Sequence, residues 1–406
     1  HICIFHPAPS TSMSRIQYIL FVVLIAGISS LNPVAVDAFL PAMPAIAKAM
    51  AVDPGTLGVT LGIFTIGTAL GQITFGPVSD RFGRKPVIVF GLCLYFIMAI
   101  LAPYSPNIES LSFVRFIQGI GAASGRIIGV AIVRDLYARE KAARLLSNIW
   151  TVSTMMPILN PFIGSALIYY FHWSSIFVYM AGFAAIMTVL TIFFFKETLA
   201  QKNLHALRPR QLFANFTQIS MDKTFVAYTI CASFSASSLY GFLAASSDLL
   251  ITQLKQSPTT FAWQFAVVMC GSMVGSFISG RLSVRLGTKR MLGIGVTITA
   301  LASSLFLALS LNGVFTAFAM IAPFVVQRMG EAMISAQSMA GAMTPFPDRA
   351  GAASSLLGFW RQIAGATAAI LVSYYADGTS LPMAIAFFAA GIVPAVIFFL
   401  YIRKIS

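Results

Sequence analysis

Twelve long runs of apolar residues, separated by short polar stretches, occupy most of the chain. A helix needs about 20 mainly apolar residues to cross the hydrocarbon core of a bilayer. Several of the runs contain an internal proline, which neighbouring helices of a membrane bundle can accommodate. The pattern predicts an all-α membrane protein with twelve transmembrane helices, here numbered as spans 1 to 12. The spans are roughly 16–40, 55–77, 86–104, 109–133, 145–168, 174–195, 224–247, 258–281, 290–310, 314–342, 350–375 and 380–403.

Two basic, glycine-containing loops lie half a chain length apart. The first hinge loop, Gly76–Lys85, follows span 2, and the second hinge loop, Gly280–Lys289, follows span 8. This repeat predicts two pseudo-symmetric six-helix bundles, 13–200 and 223–406, joined by a cytoplasmic linker, 201–222. The segment 1–12 precedes Met13 and is interpreted as an upstream or vector-derived segment outside the fold. The matching positions are Gly76 with Gly280, Arg81 with Arg285, Gly83 with Gly287 and Lys85 with Lys289.

The composition indicates that the chain is surrounded by lipid rather than by water. Apolar residues make up 58% of it and charged residues 9%, whereas a soluble domain carries about a quarter charged residues. The net charge of +14 lies in short clusters between apolar runs, so it does not form the basic stripe of a nucleic-acid-binding protein. The four cysteines have no metal-ligand spacing. We therefore expect no nucleic-acid partner, no metal site and no cofactor.

The distribution of lysine and arginine predicts the orientation of the chain. Twenty of the 26 basic residues lie in one alternating set of loops and at the ends of the chain. Only Lys48 and Lys255 lie in the opposite set. Because cytoplasmic loops are enriched in basic residues, both termini and the linker are predicted to be cytoplasmic.

Six charged residues fall inside the predicted spans. Each costs about 2.5–3.5 kcal/mol at the centre of a membrane helix, so it needs a wet cavity or an opposite charge. Arg328 and Glu331 are three residues apart and can pair, either as a structural element or as the lining of a cavity. Asp37 and Arg361 are interpreted as functional, while for Arg126 a place in a cavity and a place near the cytoplasmic boundary both stay open. The six are Asp37, Arg115, Arg126, Arg328, Glu331 and Arg361.

Several stretches of the sequence resemble signatures of the major facilitator superfamily. The first hinge loop resembles the motif between helices 2 and 3 of that family, and Arg115–Gly119 resembles its helix 4 signature. Met155–Ser165 resembles the antiporter motif of helix 5, although an Asn-Pro step replaces the usual Gly-Pro step. The residues that carry this third likeness are Pro157, Asn160, Pro161 and Gly164.

Two further stretches narrow the resemblance to one branch. Asp37–Pro44 and Val133–Tyr137 are similar to segments of drug:proton antiporters of the bicyclomycin and chloramphenicol resistance (Bcr/CflA) type. The resemblance implies two bundles around a central cavity that opens alternately to either side, in the cytoplasmic (inner) membrane of a bacterium. It also implies proton-driven export of small amphipathic compounds, with Asp37 as the protonatable group and Arg115 coupling protonation to conformation. A monomer that contacts lipid, protons and a small-molecule substrate is expected, without enzyme activity.

The resemblance implies that the hinge loops control gating. In the first loop, Gly76, Asp80, Arg81, Gly83, Arg84 and Lys85 are expected to brace the junction of spans 2 and 3. Their expected partner is the loop after span 4 or the basic end of span 11. The second loop carries Arg285, Gly287 and Lys289, but Val284 occupies the position of Asp80. Its ionic interactions are therefore expected to be weaker.

The candidate cavity residues leave the substrate open. They are Gln118, Arg126, Arg328, Glu331 and Arg361, and several depart from the pattern of the branch in a way that favours a polar or anionic ligand. Proton-coupled uptake or export of a specific metabolite is the alternative within transport. A membrane enzyme or receptor is the alternative outside it, but none of the four histidines lies deep in a span and no nucleophile or zinc motif is present.

Overall fold

The computed structural model describes residues 15–137, 139–199, 201–204, 206–207, 209–346 and 349–404. The interpreted upstream segment 1–12 lies outside these residues. The described chain folds into α-helices joined by short turns. In chain order the helices are α1 (Arg15–Ser29), α2 (Leu31–Asp37), α3 (Met43–Met50), α4 (Gly58–Phe82), α5 (Arg84–Leu101), α6 (Ile108–Leu136), α7 (Arg139–Tyr170), α8 (Ser175–Phe194), α9 (Pro209–Ser220), α10 (Lys223–Ser247), α11 (Pro258–Leu311), α12 (Ala317–Met343), α13 (Ala350–Tyr374) and α14 (Leu381–Leu400).

The predicted membrane architecture is confirmed. Eleven helical stretches of the described chain are long and apolar enough to cross a membrane. The longest of them, α11, has 54 residues and a non-helical backbone at Gly287, so it supplies two of the predicted spans. The linker between the two halves contains α9, a short helix that the sequence analysis did not predict.

Span 1 is broken rather than continuous. Helix α1 ends at Ser29, α2 ends at Asp37, and a single 3₁₀ turn over Leu40–Ala42 leads into α3. Proline cannot donate a backbone hydrogen bond and its ring clashes with the carbonyl four residues earlier. Pro33 lies four residues after the end of α1, and Pro41 lies four residues after the end of α2. The two prolines therefore account for the positions at which these helices end. The residues from Asp37 to Ala42 are called the helix break below.

The helices group into two compact units. One unit contains the described part of His1–Ala42 together with Gly67–Leu212, and the other contains Met43–Ile66 together with Phe213–Ser406. The segment Met43–Ile66 therefore packs with the second unit although it comes from the first half of the chain. Within that unit the Ser373 hydroxyl donates a hydrogen bond of 2.7 Å to the carbonyl of Gly55.

Close helix packing in the first unit depends on a glycine of α6. A side chain added at Gly125 would overlap the carbonyl oxygen of Ile28 in α1. Small residues at such crossings let two helix backbones approach, which is the main way that membrane helices gain packing energy. The Gly119–Gly125 stretch thus brings α6, with Arg115, against span 1.

The repeated hinge loops share a backbone feature as well as a sequence. Gly83 has a φ of +110° and Gly287 has a φ of +79°, and both have extended ψ values. This region of backbone space is accessible almost only to glycine. Each loop therefore changes direction at the same repeat position, and glycine is required there.

Alanine substitutions at these two glycines are expected to destabilise the protein. Gly287→Ala should lower the free energy of unfolding by about 1–3 kcal/mol because of the backbone conformation. Gly83→Ala should cost more, since its Cβ would also lie 2.5 Å from the Glu197 carboxylate. Gly76→Ala and Gly280→Ala are matched controls in open space and should have little effect. Thermal unfolding of the detergent-purified variants measures the difference, and equal melting temperatures for all four would contradict the assignment.

Candidate functional site

Asp37 is a buried carboxylate at the end of a helix. It is the last residue of α2, it is 6% exposed, and the α-helical hydrogen-bond pattern ends directly after it. Among the described residues no ion pair within 4 Å involves its side chain. A buried carboxylate without a cationic partner is expensive to keep charged, and such groups concentrate at functional sites.

Arg115 of α6 contacts the chain on both sides of Asp37. Its guanidinium donates a hydrogen bond of 2.9 Å to the carbonyl of Ala35, and it lies 4.6 Å from the ring centroid of Phe39. The Ala35 carbonyl is available because the amide of Phe39 instead bonds Val36, at 3.2 Å. Arg115 is fully buried, so these contacts replace its hydration. The structure thus brings the two residues predicted for proton coupling into one place.

Gln118 is a further polar contact of Arg115. Its side-chain oxygen accepts a 2.8 Å hydrogen bond from the guanidinium, and its amide nitrogen lies 3.8 Å from the sulfur of Met180. Gln118 is fully buried and bonds Arg115, and its role as a cavity residue stays a prediction.

One antiporter-motif residue of α7, Gly164, lies against the same helix break. A Cβ at Gly164 would overlap the carbonyl oxygen of Ala38, so this glycine permits close contact of α7 with the chain after Asp37. Pro157 and Pro161 lie inside α7. The Asn160 side-chain oxygen accepts a 3.0 Å hydrogen bond from the Tyr179 hydroxyl of α8. The asparagine that replaces the usual glycine of the Gly-Pro step therefore has a specific partner.

The first hinge loop contains an ionic network centred on Arg84. The guanidinium bonds Asp135 at 2.9 Å, near the end of α6, and also pairs with Asp80. The predicted bracing by the region after span 4 is therefore found at Asp135. Arg81 stacks on Phe82, with its Cζ 5.4 Å from the ring centroid. The Lys85 ammonium donates a 2.7 Å hydrogen bond to the carbonyl of Ile192.

Glu197 is a functional candidate that the sequence analysis missed. Its carboxylate accepts hydrogen bonds from the backbone amides of Arg84, at 2.9 Å, and Lys85, at 3.1 Å. The first amides of a helix have no partner inside the helix, and a negative charge there is stabilising. Glu197 therefore caps the start of α5, although it lies 113 residues after Arg84 and 112 residues after Lys85 in the chain. No local pattern signals this contact, because Glu197 looks like the first acidic residue of a linker.

The second hinge loop lacks the central carboxylate of the first. Val284, at the position that corresponds to Asp80, is 87% exposed and has no charge with which to hold Arg285. Lys289 belongs to the same loop as Arg285. The loop keeps the backbone turn at Gly287. The two loops share their geometry but differ in charge.

Three charged residues of the second unit form one cluster. Glu331 of α12 lies between Arg328, at 3.0 Å, and Arg361 of α13, at 3.5 Å. Arg328 also donates a 3.0 Å hydrogen bond to the Ser272 hydroxyl. One carboxylate therefore serves two arginines, and the cluster carries a formal charge of +1. Arg126 belongs to the first unit, is exposed, and stacks on Trp150 with its Cζ 4.8 Å from the ring centroid.

The repeated helices and their hinges define a class of protein, a multi-pass membrane transporter. The sequence profile of the Major Facilitator Superfamily matches residues 21–249 and again residues 228–405. The chain therefore belongs to the major facilitator superfamily, as its motifs predicted, and it is not an enzyme.

Relatives and solved structures extend over nearly the whole chain. The bicyclomycin resistance protein homolog of Haemophilus influenzae is 30% identical over 90% of this chain and 91% of its own length. The multidrug resistance protein MdtL of Shewanella sp. (strain ANA-3) is 25% identical over 94% of this chain and 95% of its own. These relatives confirm the predicted likeness to the bicyclomycin and chloramphenicol resistance type.

Two solved transporters have the same fold. A bacterial homolog of the human lysosomal transporter Spinster superposes with a TM-score of 0.76 at 17% identity, covering 97% of this chain and 98% of that chain. The xylose transporter XylE of E. coli superposes with a TM-score of 0.73 at 12% identity, covering 96% and 98%. At these identities the likeness concerns the fold alone.

Loss of the negative charges at the first hinge loop is expected to slow turnover without weakening substrate binding. Asp80→Asn removes one partner of Arg84, and Glu197→Gln removes the charge that caps α5. Each should lower the rate of transport several-fold, since a hydrogen bond to a charged group contributes about 1.5–3 kcal/mol. Substrate affinity should stay within a factor of about two, because a factor of ten in affinity requires 1.4 kcal/mol at the binding site.

Transport into everted membrane vesicles and equilibrium binding to the purified protein measure the two quantities separately. Glu109→Gln, at an exposed acidic residue in the first turn of α6, is the matched control and should behave as the wild type. Normal turnover with a large loss of binding would mean that the loop touches the ligand.

Proposed function

We propose that this protein is a proton-coupled exporter of small amphipathic compounds that works by alternating access. It is a monomer in the cytoplasmic membrane of a bacterium, with both termini in the cytoplasm. The observation that carries the proposal is the buried, ion-pair-free carboxylate of Asp37 at the helix break, flanked by the contacts of Arg115. The names of the relatives, bicyclomycin and multidrug resistance, support export of antibiotics.

Proton coupling follows from the charge balance around Asp37. When Asp37 is charged, it attracts Arg115, whose hydrogen bond to Ala35 fixes the backbone two residues away. Protonation removes this attraction and leaves Arg115 bound to the carbonyl and stacked on Phe39. A proton that enters from outside favours the outward-open state after the compound has left. Its release to the cytoplasm restores the charged site for the next compound, so proton and compound move in opposite directions.

Asp37→Asn should abolish export that is driven by a proton gradient. The amide resembles the protonated carboxyl group in shape and charge but cannot release a proton. In everted vesicles with an imposed pH gradient, the rate of export should fall at least tenfold, more than removal of one neutral hydrogen bond explains. The variant should remain folded in the membrane, and Glu109→Gln again provides an acid-to-amide control. If Asp37→Asn still moves a compound against its gradient under a pH gradient, the proton site is elsewhere.

The charged cluster of the second unit sets the preferred substrate. Arg328 and Arg361 share the single carboxylate of Glu331, which leaves one positive charge in excess in a cluster where Arg328 and Glu331 are buried and Arg361 is partly exposed. A lipophilic monocation is repelled there, whereas a neutral or zwitterionic compound is not. We therefore infer that phenicol-sized neutral or zwitterionic antibiotics are exported in preference to quaternary ammonium dyes.

Removal of the excess charge should change this preference. Arg361→Ala leaves a neutral Arg328–Glu331 pair and should raise the ratio of ethidium export to chloramphenicol export about tenfold, as expected for 1.4 kcal/mol of charge repulsion. Glu331→Ala should act in the opposite direction and also destabilise the protein, because the buried Arg328 and the partly buried Arg361 lose their partner. Arg290→Ala, at an exposed residue, is the control. Normal folding and wild-type rates for both compounds in Arg328→Ala, Glu331→Ala and Arg361→Ala would show that the cluster is structural.

A further inference from the structure

A groove lies in the second unit between the part of α11 that follows Gly287 and the end of α14. The two helices run antiparallel here, since a Cβ on Gly293 would lie 2.8 Å from the ring of Phe398 and a Cβ on Gly391 would overlap the Ser303 hydroxyl. The groove has a volume of about 790 Å³, within the range of about 300–1,000 Å³ of small-molecule sites. It is called the basic groove below, and the residues that define it are Lys289, Arg290, Ile294, Ile298, Phe399 and Arg403.

Three cations lie at one end of this groove. Lys289 and Arg290 belong to α11, and Arg403 follows α14. Because Phe398 lies beside Gly293, the antiparallel register brings Arg403 to the level of the two cations of α11. Both arginines are exposed, and among the described residues neither forms an ion pair within 4 Å and no acidic side chain lines the groove. An anion at this end would therefore meet three positive charges and no negative one.

The rest of the groove is apolar and nearly as long as one leaflet of a bilayer. Ile294 and Ile298 line it, and the hydroxyl of Thr297 already donates a 2.9 Å hydrogen bond to the carbonyl of Gly293. Ile298 lies eight residues after Arg290, which is about 12 Å along a helix. The hydrocarbon of one leaflet is about 15 Å thick, half of a core of about 30 Å. The groove therefore suits a molecule with one negatively charged end and a long apolar remainder.

The first unit places a carboxylate of its own at the equivalent position. Helices α5 and α8 are the third and sixth spans of the first half, and they correspond to the second part of α11 and to α14. Glu197 follows α8 and accepts hydrogen bonds from the first backbone amides of α5. The residues that follow α14, 401–404, include no acid and contain Arg403 and Lys404 instead. The second unit thus carries cations where the first unit supplies an anion.

We propose that the basic groove binds an anionic phospholipid, with its phosphate among the three cations and an acyl chain along the apolar part. The lipid phosphate then supplies the negative charge that Glu197 supplies in the first unit. Arginine side chains match the geometry of a phosphate, and basic pockets between membrane helices are typical sites for anionic headgroups. None of the residues of the charged cluster at Glu331 lines this groove. Binding here requires neither proton coupling nor export, so the proposal does not depend on the proposed function.

A phosphatidylglycerol with a diazirine in one acyl chain is a suitable probe, because light converts the diazirine into a carbene that inserts into nearby C–H bonds. The full chain in detergent micelles is irradiated with this lipid, and the labelled peptides are mapped by mass spectrometry. Label should concentrate on the second part of α11 and on α14, with α5 and α8 as the matched reference. Dioleoyl phosphatidylcholine, whose choline cation is repelled by the groove, should compete about tenfold less well than dioleoyl phosphatidylglycerol.

Variants separate the charges of the groove from its shape. The double variant Arg290→Gln/Arg403→Gln should reduce labelling about tenfold, since two charged hydrogen-bond donors are lost. Arg281→Gln/Arg285→Gln is the matched control, because it removes two exposed charges of the second hinge loop outside the groove, and should change labelling by less than about twofold. Thr297→Trp fills the apolar part and should abolish labelling. Melting temperatures show that each variant is folded, and the label map and lipid competition in the wild type decide if a variant is not.

Three outcomes would overturn the proposal. The first is equal labelling of α5 and α8 and of the two helices that form the groove. The second is equal competition by the two unlabelled phospholipids, or unchanged labelling of a folded Arg290→Gln/Arg403→Gln variant, either of which would mean that the lipid is held by shape without the charges. The third is displacement of the labelled lipid by inorganic phosphate as effectively as by phosphatidylglycerol. That result would identify a site for soluble anions that needs no acyl chain.

Discussion

The hydrogen bond from the buried Arg115 guanidinium to the Ala35 carbonyl is the contact on which the first unit depends. A helix that stops inside a membrane leaves carbonyl groups without partners, and an arginine there leaves a charge without water. The Arg115 guanidinium donates a hydrogen bond to the Ala35 carbonyl at 2.9 Å, so each of these two groups gains a partner. The helix break, and with it the position of Asp37, persists because a cation from a neighbouring helix holds it open. Gln118 and Phe39 complete the surroundings of that cation.

The packing around this contact explains why small residues cluster nearby. Gly125 brings α6 against α1, and Gly164 brings α7 against the chain directly after Asp37. A larger side chain at either position would push a helix away from the break and weaken the hold of Arg115 on it. The position of Asp37 and the packing of the helices therefore depend on the same residues. In a membrane interior this is expected, because helix association depends on close backbone contact rather than on the hydrophobic effect.

The two halves of the protein share their backbone plan but differ in charge. Both hinge loops turn at a glycine with positive φ, yet only the first has the carboxylates that engage Arg84. Within the spans, the first half supplies the acidic Asp37 and the second half supplies a cluster with an excess of arginine. A duplicated transporter can divide its work in this way, with proton handling in one repeat and substrate discrimination in the other. The basic groove between α11 and α14 adds a further difference in charge, since the segment that follows α8 supplies Glu197 at the equivalent position of the first unit.

The sequence by itself determined the helical membrane architecture, the half-length repeat and the family. Apolar run length, basic loops and glycine positions are local properties, and the bilayer leaves few alternatives for a chain of this composition. The pairing of Arg328 with Glu331 was also predictable, since residues three apart share a helix face. The tertiary structure decided the contacts between distant segments. Arg361 joins that pair from another helix, Glu197 caps α5 from the end of α8, and Arg115 meets the helix break across 80 residues. Such contacts depend on which helix faces meet, and side-chain packing sets those faces in three dimensions where no local pattern records them.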